Sequence, residues 1–387
     1  MLARLVGRKF KAFNLQTVCV AAALLCLSIL TLTHVLTDSS YQEYLRKARI
    51  ARAAQNETLG FGEIVYISMP HRTDRQDAMN LLASWTGIRL RHLPGVDGSK
   101  IDEKAKPDFT PEDMTTSVLG CWRAHANAWR EMLDSKVETM LVLEDDIDWD
   151  VNIHDIMERF SFQMQNNSLR THVITPHERD SAPYGLDWDL INMGQCYNHA
   201  NPDRPDLFIT YPDPTAPPID SLSNSIKQFL EFFKVTRDEM ESKRLISPSF
   251  HPICTMAYAL TRRGAQRLLL HSSYAGLHGP VDLEISDHAG NGKIHAYDLS
   301  PPPFNSWRVD GKKDSDNNAR QDPELTISGT GNLGGRSMNL RTSARKDMVR
   351  RLTIDNWRDY DVTHPIVRNY AVPPAYNDDN QLSVEPL

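Results

Sequence analysis

Thr139-Met140-Leu141-Val142-Leu143-Glu144-Asp145-Asp146 decides the fold. Residues 139–143 form an apolar run without alternation, the pattern of a β-strand covered on both faces. The run ends abruptly in three acids. Asp148 and Asp150 follow, so five carboxylates occupy seven positions. Adjacent carboxylates repel, and such a cluster costs stability unless a cation or solvent screens it. In an open α/β sheet, ligands bind outside the carboxyl ends of strands. Mg²⁺ or Mn²⁺ suits oxygen ligands and takes one or two carboxylates together with substrate phosphates. The strand end therefore reads as a site for a metal–diphosphate pair, with a solvated acidic turn as the plain alternative.

Working outward, strand and helix signals alternate. Ile64-Val65-Tyr66-Ile67-Ser68 is a β-rich run closed by Pro70, and residues 74–85 have helical spacing. Residues 89–93 form a second strand ahead of Gly95-Val96-Asp97-Gly98, and a helix runs over 116–133. This order predicts an α/β fold with a mostly parallel sheet. The second half is less regular. Strands are expected over 189–193, 257–260 and 294–299, a helix over 263–270, and a long loop over the Pro-rich residues 201–220. After about residue 310 the chain is polar and reads as a loosely ordered tail.

The N-terminus carries a different signal. No Asp, Glu, Lys or Arg occurs over residues 12–37, and 15 of the 19 residues over 18–36 are apolar. As a helix this stretch would be about 28 Å long, one bilayer core. Arg4, Arg8, Lys9 and Lys11 precede it, which favours a cytoplasmic N-terminus. The expectation is one uncleaved transmembrane helix in a type II orientation, with a cleaved signal peptide or a mitochondrial presequence as alternatives. Residues 38–387 would then face the lumen of the Golgi or endoplasmic reticulum. The sequons Asn56-Glu57-Thr58 and Asn166-Asn167-Ser168 agree. A net charge of −7 favours neither nucleic acid nor an anionic membrane surface as main partner.

Five cysteines exclude a disulfide-built scaffold. Among Cys121, Cys196 and Cys254, a Cys196–Cys254 bridge is expected because Cys121 falls in a helical core pattern. Three buried thiols are the alternative. Trp122, His125 and Trp129 share one helix face and read as core, with contact to a substrate as the other reading. Gly329-Thr330-Gly331-Asn332-Leu333-Gly334 matches a dinucleotide fingerprint but lacks the flanking βαβ pattern.

Several stretches occur together in one order. They are Ile67-Ser68-Met69 with Arg72, Asp74 and Arg75; Val96-Asp97-Gly98; Leu119-Gly120-Cys121-Trp122-Arg123-Ala124-His125; and Leu141-Val142-Leu143-Glu144-Asp145-Asp146. Trp188-Asp189-Leu190, Ala257-Tyr258-Ala259-Leu260-Thr261 and Pro280-Val281-Asp282 follow. In this the chain resembles glycosyltransferase family 25, the lipopolysaccharide and collagen galactosyltransferases, over roughly residues 62–305. Ala124 stands where the family usually has serine.

The resemblance implies a GT-A-like fold and inverting transfer of a sugar, typically galactose, from a UDP-sugar to a glycan or glycoprotein acceptor. Asp146 would ligate Mn²⁺ or Mg²⁺, with Glu144 or Asp145 near the ribose or the metal. Asp146-Ile147-Asp148 spells Asp-x-Asp literally, which makes Asp148 a further metal candidate. Arg72, Asp74, Arg75 and Asp97 would line the nucleotide pocket. Inversion needs a carboxylate to deprotonate the acceptor hydroxyl, and Asp282 and Asp189 are the candidates, with Glu284 behind them. His288 and His295 are weaker candidates for a third metal ligand. The implied division is a tail over 1–14, a signal anchor over 15–37, a stem over 38–60, a catalytic domain over 61–310 and an extension over 311–387. A metal-dependent phosphoesterase and a noncatalytic carbohydrate- or cation-binding protein are the rival functions.

Overall fold

The computed structural model describes residues 15–235, 237–309 and 332–352. The basic flank at Arg4, Arg8, Lys9 and Lys11 and the glycines Gly329 and Gly331 lie outside the described residues. So do the parts of the expected tail over 310–331 and 353–387. Two compact units divide the chain, residues 1–49 and 50–387.

The first unit contains α1 (Leu15–Thr37) and most of α2 (Ser39–Ala54). Among the described residues no helix is long and apolar enough to cross a membrane, which corrects the expected transmembrane anchor. The C-terminal half of α1 interleaves its leucines with Ser28, Thr31, Thr33 and His34. The three hydroxyls bond back to the carbonyls of Leu24, Leu27 and Leu30.

In the second unit the chain runs β1 (Glu63–Ser68), α3 (Thr73–Thr86), β2 (Arg91–Pro94), α4 (Thr116–Asp134), β3 (Thr139–Glu144), β4 (Ile147–Trp149), α5 (Ile153–Asn166) and α6 (Pro176–Ser181). It continues through β5 (Leu190–Asn192), β6 (Ile209–Pro212), α7 (Asn224–Phe232), α8 (Arg237–Met240), β7 (Lys243–Pro248) and β8 (Ala257–Thr261). The last elements are α9 (Arg262–Leu270), α10 (Val281–Gly290), β9 (Ala296–Ser300), β10 (Phe304–Ser306) and α11 (Ala344–Leu352).

Eight strands form one sheet in the order β2-β1-β3-β8-β5-β9-β7-β6, and β4 pairs with β10 in a small second sheet. The main sheet is mixed, which corrects the mostly parallel expectation. β8 is antiparallel to β3 and β5, and β7 is antiparallel to β9 and β6. Parallel neighbours need a long crossover, usually a helix. β7 and β8 follow one another through residues 249–256 with no helix between them, so helix–strand alternation does not fix their directions.

β3 fulfils its sequence pattern. Leu141 and Leu143 enter one core cluster with Met79, Leu82 and Phe160, whereas Met140 and Val142 enter the opposite cluster with Trp122, Trp129 and Leu260. Both faces are covered by helices, hence the lack of alternation. Each such side chain contributes about 1.5–3 kcal/mol by leaving water.

Two glycines bring the loop after β2 onto α4. A Cβ on Gly98 would lie 1.8 Å from the Thr116 carbonyl oxygen, and one on Gly120 would lie 2.3 Å from the Val96 oxygen. The Val96-Asp97-Gly98 and Leu119-Gly120 motifs are thus two sides of one backbone contact. The structure joins Cys196 to Cys254 and leaves Cys121 reduced. The Pro-rich stretch expected as loop contains the short edge strand β6. Residues 332–352 pack on the second unit, burying Ala344, Arg345, Asp347 and Met348.

Candidate active site

Parallel β1 and β3 end side by side, with Ile67 opposite Glu144. The residues that follow them therefore meet at one sheet edge. Asp145 is buried there: Ser68 donates its hydroxyl to Oδ2 at 2.6 Å, and Arg75 Nη1 donates to Oδ1 at 2.6 Å. Arg75 also lies 3.7 Å from Asp146. Arg72 forks onto Asp74 at 2.9 and 3.0 Å. Arg72, Arg75, Asp145, Asp146, Trp307 and Arg345 line a cavity of about 50 Å³. A larger open cavity of about 650 Å³ adjoins the ends of β1 and β2, lined by Met69, His71, Gly95, Val96, Asp97 and Lys100. That volume lies within the range of small-molecule sites.

Glu144 is the electrostatic centre. Its Oε1 accepts the Thr255 hydroxyl at 2.6 Å and lies 3.8 Å from His125 Nε2. Burial pushes its pKa up, and the charges of Asp146, Asp145 and Asp282 add to the rise against the Thr255 hydrogen bond. Asp145 is also raised by burial, with Arg75 opposing. Asp282 begins α10, where its carboxylate accepts the Cys254 and Leu283 N–H groups at 3.3 and 3.0 Å. The fold thus brings Glu144, Asp145, Asp146 and Asp282 together, with Arg72, Asp74 and Arg75 beside them and Asp97 at the larger cavity.

The remaining candidates stand elsewhere. Asp148 is fully buried. It accepts the Ser343 hydroxyl and the Arg345 N–H, and burial raises it to about 6 while Arg345 opposes. Asp150 accepts the Thr342 and Asn152 N–H groups at 2.9 Å each. Asp189 precedes β5 at the opposite sheet edge, where its carboxylate takes Arg263, Arg267 and the His295 N–H. Glu284 accepts the His278 N–H at 2.8 Å and lies 3.8 Å from His288. His295 lies 3.8 Å from Asp187.

Sequence reasoning missed Thr255 and Arg345 at this site. Arg345 is buried, donates to the Ile147 carbonyl at 2.8 Å and sits over the Trp307 ring at 5.7 Å. Nothing in its spacing distinguishes it from the other basic residues of the C-terminal stretch. Among the described residues, no group of three or more His, Cys, Asp and Glu side chains is placed to hold a metal ion. Glu144 feels the charge of Asp146, and Arg75 lies 3.7 Å from Asp146, so the two acids are a pair of oxygen donors near one another. That pair fits a divalent ion completed by phosphate oxygens.

The mixed α/β sheet thus carries an acidic strand end whose Asp145 and Asp146 line one cavity, with a second at the ends of β1 and β2. Residues 61–182 match glycosyltransferase family 25 (LPS biosynthesis protein). Zebrafish (Danio rerio) procollagen galactosyltransferase 1 is 23% identical over 227 residues, covering 56% of this chain and 29% of that protein. A Drosophila melanogaster glycosyltransferase 25 family member is 28% identical over 158 residues, covering 38% and 23%. The human inactive glycosyltransferase 25 family member 3 is 25% identical over 171 residues, covering 41% and 25%. The chain thus spans less than a third of the length of these curated relatives.

Proposed function

We propose that this chain transfers a hexosyl group, galactose, from UDP to a hydroxyl of a glycan or glycoprotein with inversion. The observation that carries the reading is the Glu144 carboxylate, partly enclosed beside the charges of Asp146 and Asp282 at the mouth of the sheet. Such an arrangement is costly unless a ligand uses it. The procollagen galactosyltransferase names of the relatives support galactose as the donor sugar.

The larger cavity, with Asp97 at its rim, takes the nucleoside. Arg72 and Arg75 present guanidinium groups toward the diphosphate. Asp146 and Glu144 hold a divalent cation, Mn²⁺ or Mg²⁺, which when bound neutralises charge growing on the departing diphosphate. Asp282 accepts the proton of the acceptor hydroxyl as it attacks the anomeric carbon. Its two backbone N–H bonds orient the carboxylate for that transfer. Asp189, at the other edge of the sheet, takes no part.

The secretory pathway, Golgi or endoplasmic reticulum, is the proposed compartment. The Cys196–Cys254 disulfide and the two sequons support it. The full chain incubated with a panel of UDP-sugars and Mn²⁺ is expected to release UDP fastest from UDP-galactose. Release with none of them would leave a noncatalytic sugar- or cation-binding protein.

A further inference from the structure

The helix face read from sequence as core has a polar seam. His125 and Trp129 on α4 and Tyr258 on β8 are each at most 2% exposed. Trp129 Nε1 lies 3.0 Å from the Tyr258 hydroxyl, and His125 Nδ1 lies 2.8 Å from the same oxygen. The direction of these bonds follows from the chemistry. An indole N–H only donates, so the tyrosyl oxygen accepts from Trp129. The tyrosyl proton then needs an acceptor, because water does not reach it. His125 Nδ1 is that acceptor, and the nearby Cys121 thiol is a much weaker one. A neutral ring that accepts at Nδ1 carries its proton on Nε2. That nitrogen faces Glu144 Oε1 at 3.8 Å, and active-site hydrogen bonds commonly tighten when substrate closes the site.

We infer that His125 is a positioning residue: Trp129 and Tyr258 hold it with the Nε2 proton turned to Glu144, and so it fixes that carboxylate where the donor binds. Thr255 holds the same oxygen from the other side. The carboxylate therefore lies between a hydroxyl that bonds it, from the loop before β8, and an imidazole N–H 3.8 Å away on α4. This inference rests on the proposed function, because the value of a fixed Glu144 lies in the reaction.

The direct test is the tautomer. Long-range ¹H–¹⁵N spectra of the full chain with labelled histidine, the His125 signals assigned by their loss in His125→Gln, are expected to show the Nε2–H form. An Nδ1–H form overturns the inference. Tyr258→Phe is expected to mix the tautomers and to lower kcat for UDP release from UDP-galactose by roughly 10- to 100-fold, with KM for the donor little changed. His125→Gln keeps a donor near the Nε2 position and is expected to retain more activity than His125→Asn, which does not. Equal rates for the two, or wild-type kcat in folded Tyr258→Phe, overturn the inference. Wild-type turnover separates the two readings. If the full chain releases UDP from none of the UDP-sugars, the proposed function fails; if it does release UDP and Glu144→Gln is inactive while Tyr258→Phe and His125→Asn are fully active, only the positioning role fails.

Discussion

Residues 144–146 and residues 148–150 belong to one run of acids, yet the fold treats its two ends in opposite ways. Asp148 and Asp150 turn inward against the C-terminal segment, where Ser343, Arg345, Thr342 and Asn152 satisfy their oxygens. Glu144 and Asp146 stay at the mouth, where Thr255 and Arg75 are their polar contacts. The first pair is structural because every charge has a partner supplied by distant sequence. On the proposed function the second pair is the one that acts, because fewer groups satisfy it. Acid density therefore marks the neighbourhood, and the supply of counter-groups distinguishes its two ends.

The largest expected effect follows from exchanging these roles. Asp148→Ala takes away the buried acceptor of the Ser343 hydroxyl and of the Arg345 and Trp149 backbone N–H groups, and each buried donor left unpaired costs about 1–3 kcal/mol. A drop of several degrees or more in Tm is expected. Asp146→Asn removes a charge, 15% exposed, from a repulsive group and should leave Tm within a degree or two. UDP release from UDP-galactose should nevertheless fall by about 100-fold or more. Thermal melts and UDP release measured on both variants check the comparison. An active, unstable Asp146→Asn beside a stable, inactive Asp148→Ala would invert the assignment.

Glu144→Gln sharpens the same contrast through pH. The folded state raises this carboxyl from its ordinary 4.5 to about 8. In the unfolded chain it ionises first, so wild-type stability falls as pH rises from about 4.5 toward 8 and levels off above. The amide has no charge to desolvate. At pH 8 the variant is expected to be more stable by about 2 kcal/mol, discounted because 30% of the side chain is open to solvent. Chemical denaturation at pH 5 and pH 8 reads this difference, which should vanish at the lower pH. The variant gains stability where it loses turnover, whereas Asp148→Ala loses stability outright.

How much of this was legible in the sequence depends on how local the cause is. β3 was legible because burial on both faces leaves an apolar run. The loop over 95–98 and Gly120 were legible as motifs, although only the structure reveals that they touch. The directions of β7 and β8 were not legible, since no crossover helix fixes them. Thr255 was not legible because it reaches Glu144 from 111 positions away. Residues 332–352 were read as tail because the chain there is polar. Asp347 is buried through ion pairs with Arg350 and Arg351, and Arg345 through bonds to Asp148 and the Ile147 carbonyl, which hydropathy does not register. His125 and Trp129 were correctly placed in the core, but their polar tips meet only through Tyr258.

The smallest expected effect concerns the choice of base, which the sequence left between Asp189 and Asp282. Both are aspartates in motif positions, and they differ in which sheet edge they occupy. The Asp189 side chain is fully enclosed and bound to Arg263 and Arg267, whose own side chains are 43% and 42% exposed. Asparagine there keeps a carbonyl oxygen for the His295 N–H, and both guanidinium groups can turn to water. The loss should be about 1 kcal/mol, closer to a surface pair than to a sealed one. Its distance from the mouth means kcat with UDP-galactose should be unchanged. Asp282→Asn keeps an acceptor for the Cys254 and Leu283 N–H groups but cannot take a proton. Its kcat should therefore fall by about 100-fold or more with little change in donor KM. Steady-state rates for the two variants decide the point: a collapse of kcat in Asp189→Asn with Asp282→Asn intact would move the base to the other edge of the sheet.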